Sequence, residues 1–166
     1  LQKTADFLNA YDFLELHYRS GLGTDLHVEL PKGHIWMGGA ERAASGTMFV
    51  ANIPTEEVYT LPKRDGVNGV VVASKPLHYN GNLISGFSLT FRAGKVTDYH
   101  AESGEEHLRE LLQTDEGASF LGEVALVPHA SLRAVSCSTI HSLMRMRPVI
   151  WPWGRRIRRA SGEEMA

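Results

Sequence analysis

Phe13-Leu14-Glu15-Leu16-His17-Tyr18, then Gly21-Leu22-Gly23, then Asp25-Leu26-His27-Val28-Glu29-Leu30-Pro31: this stretch decides the fold class. Leu14, Leu16 and Tyr18 alternate with Glu15 and His17, and Leu26, Val28 and Leu30 alternate with Asp25, His27 and Glu29. A period of two puts alternate side chains on opposite faces of an extended chain, so the two runs predict an antiparallel hairpin with one buried face. The two glycines supply the turn. Pro31 ends the second strand because it has no N–H to give a ladder. The segment up to about Tyr11 lacks a clean period and reads as a short helix or lead-in.

Downstream the pattern stays mostly β. Met48-Phe49-Val50 is an apolar strand candidate, and Gly69 to Ala73 reads as a mostly buried strand. Asn80-Gly81, between His78-Tyr79 and Leu83-Ile84, is a two-residue hairpin signal, since both residues tolerate positive φ. Phe87, Leu89 and Phe91 alternate with Ser88 and Thr90, and a turn at Ala93-Gly94 leads into Val96 to Tyr99. Helix enters once: Ser103 and Glu106 stand as a capping box, with Leu108, Leu111 and Leu112 at helical spacing. Asp115 reads as the cap of a second short helix ending near Gly122, and Val124 to Val127 as a short buried strand stopped by Pro128. The expectation is an α+β, antiparallel β-rich domain with a helical segment near 103–121.

Composition narrows the function. A formal net charge of −2 over 166 residues argues against nucleic acid as the main partner. No apolar run reaches the roughly 18 to 20 residues that cross a bilayer, so no membrane partner is expected. Thr4, Asp6 and Asn9 interrupt any signal-peptide core. The single cysteine, Cys137, excludes an internal disulfide and fits a cytoplasmic location. The first residue is Leu1, which reads as a fragment.

Two clusters carry candidate chemistry. In Asn52-Ile53-Pro54-Thr55-Glu56-Glu57-Val58-Tyr59, adjacent carboxylates on an extended segment point to opposite faces. An inward carboxylate beside Ile53 and Val58 must be protonated, paired or bound to a cation; otherwise both glutamates are surface residues of an edge strand. In Gly122-Glu123-Val124-Ala125-Leu126-Val127-Pro128 a carboxylate opens an apolar strand, where it could ligate a metal or pair with an arginine such as Arg109. His34 is the most ligand-like of eight histidines, though a loop histidine beside Trp36 is more often packed or hydrogen-bonded. No helical His pair, CxxC, phosphate loop or GxSxG elbow is present.

Several stretches taken together resemble the catalytic domain of the aminopeptidase T and aminopeptidase S family of leucyl metallo-aminopeptidases. They are Gly23 to Leu26, Leu30 to Gly39, Asn52 to Thr60, Gly66 to Gly69, Thr114 to Ala118 and Leu121 to Pro128, all in the family's order. The resemblance implies two divalent ions (zinc, cobalt or another transition metal) that bind the free amino group of a peptide substrate and activate a water. It implies Glu57 and Glu123 as metal ligands, with Glu56 the alternative for the first, and Glu123 as the catalytic residue retained. It also implies a homodimer.

The family's remaining ligands follow in a motif containing Asp-Glu-Asn-Ala-Ala-Cys-His, which this chain lacks in its own frame. Rebuilding each codon from the last base of one residue and the first two of the next changes that. Trp151-Pro152 then forces Ala, Trp153-Gly154 forces Gly, Pro148-Val149 permits Cys, Val149-Ile150 permits His and Met144-Arg145 permits Glu. The motif is recovered in order between Cys137 and Gly154. The expectation is a partial catalytic domain at 1–130 and an aberrant, out-of-frame, disordered tail at 131–166, leaving this chain inactive. The competing reading, from a different class, is a non-catalytic β-rich binding domain whose basic tail, with five arginines after residue 146, is authentic.

Overall fold

A computed structural model describes residues 2–38, 41–49, 57–127, 150–152, 156–159 and 164–165. Helix α1 (Gln2–Asn9) precedes the hairpin β1 (Phe13–Arg19) and β2 (Asp25–Glu29), and β3 (Glu41–Arg42) and β4 (Met48–Phe49) form a small separate pair. Next come β5 (Val58–Thr60), β6 (Val67–Val72), β7 (Leu77–Tyr79), β8 (Asn82–Ile84), β9 (Ser88–Arg92) and β10 (Lys95–His100). Helix α2 (Glu105–Leu112) and β11 (Val124–Val127) follow, then the short strands β12 (Ile150–Pro152), β13 (Arg156–Arg159) and β14 (Glu164–Met165).

The main sheet has the order β10-β9-β6-β2-β1-β13-β14, with every pairing antiparallel. A second sheet, β12-β11-β5, joins β5 and β11 antiparallel and β11 and β12 parallel. This is the α+β, antiparallel-rich architecture that the alternation predicts. Among the described residues no helix is long and apolar enough to cross a membrane.

Burial explains the register. Leu16, Tyr18, Leu26 and Val28 face the core, where Leu16 opposes Val28 and Tyr18 opposes Leu26. Leu14 departs from the expectation: it is 55% exposed, while Phe13 is 1% exposed. The ladder to β13 shifts register between Phe13 and Glu15, and that bulge moves the inward position from Leu14 to Phe13. Val67, Val71, Leu89, Phe91 and Leu108 belong to the same core, each fully buried apolar side chain contributing roughly 1.5–3 kcal/mol. Asn80 and Gly81 adopt φ of 48° and 81°, so the Asn-Gly hairpin between β7 and β8 forms as its sequence predicts. Met48 and Phe49 do form a strand, but both are exposed, and Val50 lies outside the described residues.

The helical segment is shorter than expected. Ser103 is held by backbone bonds to Ser85 in both directions, so the chain turns at Gly104 (φ 75°) and α2 begins at Glu105. No side chain caps the helix, and the expected box of Ser103 with Glu106 is absent. Glu105 instead accepts the Ala101 N–H at 3.0 Å and bonds His100 Nδ1 at 2.7 Å. Asp115 opens a turn, not a helix: its carboxylate accepts the Gly117 N–H at 2.7 Å. Within 131–166 the described residues are β12, β13 and β14, each paired with another strand, and the rest lies outside the described residues.

One side chain ties α1 to the second sheet. The Asn9 carboxamide donates to the Trp36 carbonyl at 2.8 Å and accepts the Trp36 N–H at 2.7 Å. One residue on, Met37 pairs with Tyr59 of β5 through two backbone bonds of 2.8 Å. Asn9→Ala removes both Asn9 bonds and strands two backbone groups, at a cost of about 1–3 kcal/mol; urea unfolding should show a lower midpoint with an unchanged slope. Hydrogen bonds to an exposed carboxylate also give a pH signature. The Ala101 N–H, and then His100, hold the Glu105 carboxyl below its usual range. That stabilisation is present at neutral pH and is lost as the pH falls from about 4.3 through the lower folded value. Glu105→Gln should therefore flatten the acid limb of a melting-temperature profile and leave the alkaline limb unchanged.

Candidate functional site

β5 and β11 present two faces. Val58, Thr60, Val124 and Leu126 are buried, and the Thr60 hydroxyl donates to the Ile35 carbonyl at 2.9 Å. Glu57 and Glu123 each stand one residue ahead of a strand, so alternation sets both on the face shared by Tyr59 and Ala125. The antiparallel register runs from Val124 opposite Thr60 to Leu126 opposite Val58. Carried outward, it places the two glutamates at opposite ends of the pair, with backbones offset by roughly 13 Å along the strands.

Their environments differ. Glu57 is half-buried, whereas Glu123 is 6% exposed and is the only buried acidic residue among the described residues. A carboxylate taken out of water needs compensation from hydrogen bonds or positive charge. Gly38 fixes the approach to Glu57: a Cβ there would stand 2.7 Å from the Glu57 carbonyl oxygen and 3.1 Å from Val58 Cγ1. The chain can pass that closely only without a side chain. Glu56, the alternative ligand, lies outside the described residues.

His34 is a core residue. Its side chain is 1% exposed, its Nδ1 bonds the Pro31 carbonyl at 3.2 Å, and its ring lies 6.3 Å from that of Trp36 and 6.4 Å from that of Phe13. It is not brought to either glutamate by these contacts.

A second polar cluster was not singled out in the sequence. On the outer face of the hairpin His17 is directly opposite His27, their rings stacked with centroids 3.9 Å apart. His17 Nε2 lies 2.6 Å from Asp25 Oδ1, and His27 Nδ1 lies 2.6 Å from Glu15 Oε1. The bond from His17 comes first among the causes that hold the Asp25 carboxyl below its usual range. His17, Asp25 and His27 offer donor atoms all within 4.8 Å of one another, the one such metal-competent trio among the described residues. A search for sequence-local His spacing misses a pair joined across strands. The signal was present in the hairpin register, which pairs His17 with His27 once Leu16 is set against Val28.

Comparison with known proteins covers most of the chain. A family model described as thermophilic metalloprotease (M29) matches residues 1–143. Aminopeptidase AmpS of Bacillus subtilis is 52% identical over 131 residues, 79% of this chain and 32% of that protein. Aminopeptidase T of Thermus thermophilus is 51% identical over 128 residues, 77% of this chain and 31% of its own length. The solved structure of wild-type AmpT from Thermus thermophilus superposes with a TM-score of 0.74 at 49% identity, covering 78% of this chain and 32% of that one. A 2,5-dihydroxypyridine dioxygenase from Pseudomonas putida, at 20% identity and a TM-score of 0.55, shares the fold alone. The chain spans about a third of the length of the curated relatives it matches. On the match over residues 1–143 and the identity to these relatives, the chain belongs to the thermophilic metalloprotease (M29) family.

Proposed function

We propose that this chain is part of a metal-dependent aminopeptidase that releases N-terminal residues, leucine among them, from peptides. The observation that carries the reading is Glu123, a buried carboxylate at the mouth of β11, on the same face as half-buried Glu57. Oxygen donors of this kind suit divalent ions, and relatives at about half identity over the same residues are named aminopeptidases. Two ions fit better than one, because the strand register holds the two backbones well apart. Zinc, cobalt or another transition metal would serve, supplying Lewis acidity and a water made acidic by coordination.

The chain's own residues have simpler tasks. Glu57 and Glu123 hold and neutralise cationic charge, with Glu56 the alternative to Glu57. The buried setting of Glu123 excludes water from its side of the site and strengthens its electrostatic interactions. Gly38 keeps the Glu57 segment pressed against its neighbour.

The unit at 1–130 is read as a partial catalytic domain, and 131–166 as translated out of frame. The support is the recovery of the family motif between Cys137 and Gly154 one base out of register. Without the ligands in that motif the 166-residue chain is inactive, since metal affinity collapses when ligands are lost. The intact enzyme is read as a cytoplasmic homodimer, a reading that rests on the family resemblance and the lone cysteine.

Two measurements test this. The purified 166-residue chain should release no product from a leucyl chromogenic substrate in the presence of Zn2+ or Co2+; turnover would refute its inactivity. A frame-restored chain should hydrolyse that substrate, and Glu123→Gln in it should lower kcat/KM by at least about 100-fold. A restored chain that binds two ions without hydrolysing the substrate would overturn the aminopeptidase assignment.

A further inference from the structure

We propose that His17, Asp25 and His27 form a surface site for one borderline divalent transition-metal ion, of the Zn2+, Co2+ or Ni2+ class, which cross-links β1 to β2. This site lies on the main sheet and does not rest on the aminopeptidase reading.

The donor chemistry selects the ion. Two imidazoles and one carboxylate suit first-row transition metals, whereas Mg2+ and Ca2+ favour all-oxygen shells. The geometry is near what such an ion requires. Donors at roughly 2.0–2.2 Å from a tetrahedral ion stand about 3.3 Å from one another. His17 Nε2 and Asp25 Oδ1, now 2.6 Å apart, have to open, and His27 Nε2 and Asp25 Oδ1, now 3.9 Å apart, have to close. Each adjustment is under about 1 Å. Side-chain rotation can supply it, because Asp25 is 57% and His27 46% exposed.

A fourth residue sharpens the assignment. Glu15 Oε1 takes the Nδ1–H of His27 at 2.6 Å. That bond fixes the tautomer in which Nε2 carries the lone pair, and Nε2 is the atom turned toward Asp25. A carboxylate behind a ligating imidazole is the arrangement that orients such ligands and raises their basicity. The strands hold the rings before any ion arrives: His17 and His27 are opposed in a ladder whose inner face is locked by Leu16, Tyr18, Leu26 and Val28. The rings, now stacked, have to turn apart so that both Nε2 lone pairs meet at one ion, a rotation their exposed face allows. The same exposure leaves room for a water as fourth ligand.

The test is titration of the 166-residue chain with Zn2+ by calorimetry and with Co2+ by visible absorption. One ion should bind at a site that weakens at least tenfold in His17→Gln and in His27→Gln. Glu15→Gln should weaken it about tenfold through the imidazole alone. The double variant Glu57→Gln with Glu123→Gln should keep the site, which separates it from the metals of the proposed aminopeptidase. Zn2+ should raise the melting temperature of the chain and leave that of His27→Gln unchanged. Should a histidine variant fail to fold, ring-proton shifts of the unaltered chain under Zn2+ read the same point, moving at His17 and His27. Binding that survives His17→Gln with His27→Gln, or no binding at all, overturns the proposal.

Discussion

The paired hydrogen bonds between Asn9 and the backbone of Trp36 are the joint on which the candidate site hangs. Asn9 closes α1, which packs Ala5 and Leu8 into the main core. Trp36 begins the segment whose next residue, Met37, aligns β5, and β5 in turn sets the register of β11. A side-chain amide copies both halves of a backbone pairing, so it transmits position along the chain without another strand. Each glutamate stands one residue ahead of a strand in this series, so its placement depends on every link before it.

The site face shows why a small sheet is useful. A strand of three or four residues has two needs to meet, an apolar side set in the core and an opposite side that carries the alternate positions, of which Glu123 and Ala125 are also buried. Val58, Thr60, Val124 and Leu126 meet the first need, which leaves Glu57, Tyr59, Glu123 and Ala125 for the second. A carboxylate buried as Glu123 is needs charge or hydrogen bonds around it to compensate.

Much of this was legible because alternation is a local signal. The β1–β2 hairpin, the Asn80-Gly81 and Ala93-Gly94 turns and the β11 strand each follow from a few adjacent residues. Much of what escaped was set by contacts distant in sequence. Leu14 turned outward because of a bulge that pairing imposes, and the capping box failed because Ser103 was already committed to Ser85. Asp115 chose a turn over a helix, two outcomes that one carboxylate hydrogen bond can equally serve. The glutamates were legible one by one. Their shared face and opposite ends required the register between strands 64 residues apart in sequence, Val124 against Thr60. The histidine pair lay within reach, since the hairpin register sets His17 against His27, but their spacing along the chain does not declare it.

The pairing of β13 onto β1 carries a consequence for the life of the polypeptide in a cell. Ladder bonds run between backbones, so an open strand edge does not read the identity of the segment that occupies it. The main sheet accepts Arg156–Arg159 there, a segment whose composition owes nothing to alternation. The same indifference would let the edge of one nascent chain capture a strand from another. Readiness to pair and vulnerability to clumping are, at this edge, the same physical property.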